Sequence, residues 1–85
     1  MDNRTLAQRL RQHACELDVE GGNLYRVRAY RRAADVIEEM DAPVAALLEH
    51  NGRRALEALP AVGSHIALTI ESLLHPEAHI ATPAA

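Results

Sequence analysis

The sequence has no lysine, no tryptophan and no phenylalanine, and all nine of its basic residues are arginine. Without a lysine amine, Schiff-base chemistry on a side chain is excluded. Without the two largest apolar aromatics, the core must be built from Leu, Ala, Val, Ile and the two tyrosines. The single Cys15 rules out an internal disulfide and with it a disulfide-stapled secreted scaffold. No apolar run comes near the roughly 20 residues of a membrane span. Arg4, Arg9, Arg11 and several acids fall in the first twenty residues, which is no pattern for a signal peptide, so a cytoplasmic protein with no membrane role is expected. A formal net charge of −3 weighs against the bulk footprint of a nucleic-acid binder.

What is present is one small domain of 85 residues, 48% hydrophobic and 25% charged, enough to fold alone. Apolar residues recur at helical spacing, and no strand pattern or repeat stands out. Leu6, Leu10, Ala14 and Leu17 form one stripe over 4–19, with Asn3 as the cap and Gly21-Gly22 as the stop. Val27, Tyr30, Ala34 and Ile37 share a face over 23–40, with Ala33 and Met40 at its edge. Asp41 and Pro43 open a short helix over 43–50, which Asn51-Gly52 breaks. Another follows at 53–58. Leu59-Pro60-Ala61-Val62-Gly63 is a tight turn, and 64–74 is the last helix, stopped by Pro76. The fold class is all-α: a compact bundle of about five short helices over 1–75, with a flexible tail at 76–85.

Charge is distributed unevenly. Residues 21–34 hold Arg26, Arg28, Arg31 and Arg32 and no acid, whereas 35–50 hold Asp35, Glu38, Glu39, Asp41 and Glu49 and no base. The second helix therefore starts basic and ends acidic, against the helix dipole. Pairs such as Arg31 with Asp35 run in the weaker orientation. An anion site explains this order, as does a solvated face whose arginines pair with nearby acids. Near Gly63, which permits φ > 0 or a close backbone approach, the unpartnered amides at the start of the last helix could receive a phosphate, with Ser64 and His65 beside it. An ordinary tight turn between packed helices reads equally well. Tyr25 and Tyr30 offer rings for stacking, although Tyr30 also lies on the apolar face and could fill the core with its hydroxyl at the rim. His75 and His79 have i, i+4 spacing with Pro76 between them, and no cysteine pair supports zinc. His13 and Cys15, two apart on a helix, diverge and make no catalytic pair.

Two strings together carry a resemblance. Gly22-Asn23-Leu24-Tyr25-Arg26-Val27-Arg28-Ala29-Tyr30-Arg31-Arg32-Ala33-Ala34 resembles the signature of the amino-terminal domain of family X DNA polymerases. Residues 59–67 look like that domain's helix-hairpin-helix motif, and bacterial members are more similar than mammalian ones. The resemblance implies sequence-independent DNA binding, with a preference for gaps carrying a 5′-phosphate. It implies backbone contact by Ala61, Gly63 and His65, and a monovalent cation, sodium or potassium, on the carbonyls of Glu57, Leu59 and Val62. It maps a 5′-phosphate pocket onto Tyr25, Arg26, Tyr30 and His65. A DNA-repair or replication protein is the partner expected beside DNA, with nucleoid association when DNA is bound. Ala61 replaces the first hairpin glycine, His65 a basic residue, and Thr69 the lysine that forms the lyase Schiff base. The chain ends where polymerase domains would begin. The expectation is a stand-alone binding module with no organic cofactor and no enzymatic activity. A protein-interaction module that kept the fold and lost DNA binding is the alternative, and a residual 5′-deoxyribose-phosphate lyase a third.

Overall fold

The computed structural model describes residues 1–76, and they form five helices: α1 (Asn3–Val19), α2 (Leu24–Glu39), α3 (Val44–Asn51), α4 (Arg53–Glu57) and α5 (Ser64–Leu74). The tail over 77–85, with His79, lies outside the described residues.

The cap of α1 differs from the sequence expectation. Asp2, with extended backbone, accepts a hydrogen bond from the Thr5 amide at 2.8 Å. That bond holds the Asp2 carboxyl below its usual pKa. Asn3 is already inside the helix and caps a different one. Its Oδ1 accepts from the Val44 amide at 2.8 Å, at the start of α3, where the N-cap Pro43 has no side-chain acceptor to offer. Its Nδ2 donates to the carbonyls of Ala42 (2.8 Å) and Met40 (3.3 Å). One asparagine thus ties the first turn of α1 to the α2–α3 connection.

The α1–α2 turn is a Schellman stop. The Gly21 amide donates to Asp18 O (3.1 Å) and the Gly22 amide to Leu17 O (2.7 Å), with Gly21 at φ +75°. Asn23 then caps α2 by accepting from the Tyr25 amide at 2.8 Å. The returning α2 packs along α1 through Ala7, Ala14, Ala33 and Ala34, all fully buried, and small side chains let the two helices approach closely. Ala33, expected at the edge, is inside.

Leu6, Leu10, Val27, Tyr30 and Ile37 supply the bulk between these helices, and Val44, Leu48, Leu56, Ile66 and Ile70 close the core from the other side. Leu17, Met40, Leu73 and Leu74 border it, half-buried. Among the described residues no buried side-chain polar atom lacks a partner, and no helix is long and apolar enough to cross a membrane.

The charge order on α2 is resolved by α1. Arg11 bridges Asp35 (2.8 Å) and Glu38 (2.7 Å), which raises its own pKa. The expected Arg31–Asp35 pair does not form, because Asp35 is taken by Arg11 while Arg31 lies 3.9 Å from Asp18. Asp35 and Glu38 are thus paired from the neighbouring helix and not by the arginines of α2.

Candidate nucleic-acid interface

The two sequence features that pointed to anions meet in space. A groove of about 360 Å³ runs between the start of α2 and the hairpin that precedes α5. Asn23, Tyr25, Arg26 and Ala29 form one wall, and Ala61, Gly63, Ser64, His65 and Ile66 form the other. A smaller hollow of about 120 Å³ continues along α2 between Tyr25, Arg28, Ala29 and Arg32.

The hairpin wall is built of amides. α5 begins at Ser64 with Gly63 as its N-cap, and Gly63 has no side chain to fill the cap. The first intrahelical bond runs from the Ala67 amide to Gly63 O at 2.9 Å. The amides of Ser64, His65 and Ile66 therefore have no acceptor among the described residues, and neither does that of Ala61.

Backbone conformation here departs from the sequence reading. Gly63 does not use its freedom: its backbone is extended (φ −95°, ψ −172°), and a Cβ built on it meets nothing within 4 Å. The left-handed conformation falls on Ala61 instead, at φ +66°, the only described non-glycine residue with positive φ. The alanine has kept the shape of the turn and holds it against its own Cβ.

The α2 wall is cationic. Arg26, Arg28 and Arg32 are exposed and have no acid within 4 Å among the described residues. Arg31 stands apart from them, near Asp18, and lines neither hollow. Tyr25, 85% exposed, presents its ring at the junction of the two hollows.

Tyr30 is not part of this surface. It is fully buried, its ring edge-on to His13 (centroids 4.7 Å apart) and to His65 (6.1 Å), and its hydroxyl lies 2.8 Å from Thr69 Oγ1. Tyr30 therefore fills the core and does not line the expected phosphate pocket or offer a stacking face, since no face of its ring reaches solvent. Thr69 Oγ1 donates to the His65 carbonyl at 3.2 Å, so the residue at the lyase-lysine position is engaged within the fold.

The sequence reading missed Arg53. It pairs with Glu57 (3.7 Å) and Glu71 (3.3 Å) behind the hairpin, in a hollow shared with Ser64 and His65. Its i, i+4 spacing to Glu57 was the available signal. It also missed Asn23 and Ile66 as groove lining.

For a monovalent cation the relevant donors are backbone oxygens. Leu59 O accepts from the Val62 amide at 3.1 Å and keeps a second lone pair, while Glu57 O and Val62 O take no amide among the described residues. Neutral carbonyl oxygens with spare lone pairs suit a hard cation. No cluster of three or more His, Cys, Asp or Glu side chains able to hold a metal exists among the described residues.

A family model for the helix-hairpin-helix domain matches residues 1–77. No curated protein and no solved structure matches the chain.

Proposed function

The chain belongs to the helix-hairpin-helix domain family, and from that premise we propose that it binds DNA through backbone phosphates, without regard to sequence, preferring gaps or 5′-phosphorylated ends. Domains of this family generally bind DNA non-specifically. The observation that carries the proposal is the convergence on one groove of unpartnered amides from α5 and an unpaired guanidinium from α2.

A phosphate oxygen accepts from the open amides of Ser64 and His65, with the helix N-terminus adding favourable field. Arg26 supplies a charge-assisted, bidentate contact to the same or the next phosphate. Arg28 and Arg32, four apart on α2, extend the contact along the strand. Tyr25 offers a face for a base or sugar exposed at a gap or end. A monovalent cation held by the carbonyls of Glu57, Leu59 and Val62 would supply positive charge to a further phosphate oxygen. None of these contacts reads a base edge, so sequence is ignored.

The net charge of −3 does not oppose this locally. Arg26 and Asp35 are nine residues apart on one helix, about 13.5 Å along its axis, beyond the Debye length of roughly 8 Å at physiological salt. With about three phosphate contacts, log affinity against log salt should fall with a slope near −3.

Fluorescence anisotropy with gapped, 5′-phosphorylated and intact duplexes tests the reading. Binding at low salt with that slope supports it, and Arg26→Ala should reduce the 5′-phosphate preference. Absence of binding at low salt sinks it. A flat salt dependence, with capture of a protein partner, would favour an interaction module, a use that Val19, Leu24 and Tyr25, exposed together where α1 turns into α2, make structurally open.

For imine formation the chain has no side-chain amine, and Thr69 donates its proton to a carbonyl. We therefore propose binding without lyase chemistry. Borohydride trapping on an abasic substrate should give no adduct.

A further inference from the structure

α2 and α5 form the two walls of the groove, yet their backbones come close at very few points, whereas α1 runs close along α2. Among the described residues a single side-chain hydrogen bond crosses between α2 and α5, from Tyr30 to Thr69 at 2.8 Å.

The direction of that bond follows from proton counting. Thr69 has one hydroxyl proton, which goes to the His65 carbonyl (3.2 Å), so Tyr30 donates to Thr69. The chain Tyr30 → Thr69 → His65 carbonyl uses every proton and ends on the backbone of a residue lining the groove.

Its placement is regular. Tyr30 stands one turn after Arg26 on α2, and Thr69 one turn after His65 on α5. The bridge therefore lies about 6 Å beneath each lip, measured along the helices. The phenol that anchors it is fully buried between α1 and α5, held edge-on by the His13 and His65 rings.

We infer that the Tyr30–Thr69 hydroxyl bridge fixes the spacing between the arginine wall and the amide wall, making Thr69 and Tyr30 positioning residues for phosphate binding. The inference rests on the DNA-binding reading. A phosphate gripped by amides on one side and a guanidinium on the other needs donor–acceptor distances of roughly 2.7–2.9 Å at both. With the two backbones apart, no other side-chain hydrogen bond among the described residues spans that gap.

The experiment separates positioning from mere stability. Thr69→Val leaves the Tyr30 hydroxyl buried without a partner, so it should lower both stability and affinity. Tyr30→Phe with Thr69→Val removes the orphaned group as well, and replacement of both partners by apolar groups is close to neutral for folding. The double variant should melt near the wild type and still bind 5′-phosphorylated gapped duplex about 3- to 10-fold more weakly, as loss of one hydrogen bond implies. Thr69→Ser, which keeps the hydroxyl, should restore binding to within about twofold. A well-folded double variant with wild-type affinity overturns the inference.

If the wild type itself fails to bind, the DNA reading falls, and amide NMR of the free proteins decides the positioning claim alone. In the double variant the resonances of 61–66 and 24–29 should shift together. Shifts confined to the neighbours of the two substituted side chains would overturn it.

Discussion

The α1–α2 turn and the hairpin before α5 both carry glycine and use it for opposite ends. In the α1–α2 turn both residues answer to the chain itself. Gly21 sits at φ +75°, and a Cβ on Gly22 would lie 2.9 Å from the Leu17 carbonyl oxygen. In the hairpin, Gly63 has an ordinary backbone and open space around it, while the left-handed position is filled by Ala61. The first turn needs its glycines to fold. The second keeps one where the fold would accept a side chain and does without one where the fold would prefer it. A bare N-cap leaves the amides of α5 open to an outside acceptor, so the comparison points to the same groove as the arginines do.

That contrast can be broken, and the largest expected effect is in the first turn. Gly22→Ala should destabilise by about 2 kcal/mol, the range for a forced backbone clash, and leave the affinity of the folded fraction unchanged. Urea melts together with anisotropy check it, and an unchanged melt would remove the contrast. Next comes Gly63→Asp. An aspartate in that extended conformation caps α5 and should raise stability by a few tenths of a kcal/mol up to about 1. It also occupies the amides and repels phosphate, so affinity should fall by about tenfold or more. If stability and affinity moved in the same direction, the amides would not be the binding surface. Ala61→Gly relieves the left-handed alanine and should stabilise by roughly 0.5–1 kcal/mol, with binding retained. A thermal melt that fell instead would mean that the turn is not strained.

The smallest effect concerns α1. Its cap lowers the Asp2 pKa in the folded state from the usual value near 3.8. The unfolded chain then binds more protons around that pH, so this stabilisation is present above about 3.8 and is lost as pH falls through the lower folded value. Asp2→Asn keeps an acceptor but does not titrate, so its melts should match the wild type at neutral pH and lose this part of the acid dependence.

Much of the fold was legible in the sequence because helix ends are local. Gly21-Gly22, Asn51-Gly52 and Asn23 act within a few residues of themselves, and the apolar stripes of α1 and α2 predicted their buried faces. Asn3 escaped because its partner Val44 is forty-one positions away, and Asp35 escaped because Arg11 belongs to another helix. Neither distance has a local trace. The site was legible in its residue types and less so in its geometry. Arg26 and the hairpin residues line one groove, but Tyr30 turned inward, where Thr69 offers its hydroxyl a partner. The φ values of Ala61 and Gly63 reversed the assignment that glycine alone suggested.

The bridge from Arg11 to Asp35 and Glu38 also bears on how DNA would arrive. By pairing two carboxylates with α1, it leaves the start of α2, where Arg26, Arg28 and Arg32 have no acid within 4 Å among the described residues, as a locally positive face on a chain of net charge −3. On the proposed DNA-binding reading, that face would attract an approaching duplex while the net negative charge opposes other approaches, and encounters would be sorted by orientation before any hydrogen bond forms. Arg11→Glu should slow association far more than it hastens release, although Arg11 lines neither hollow of the proposed interface.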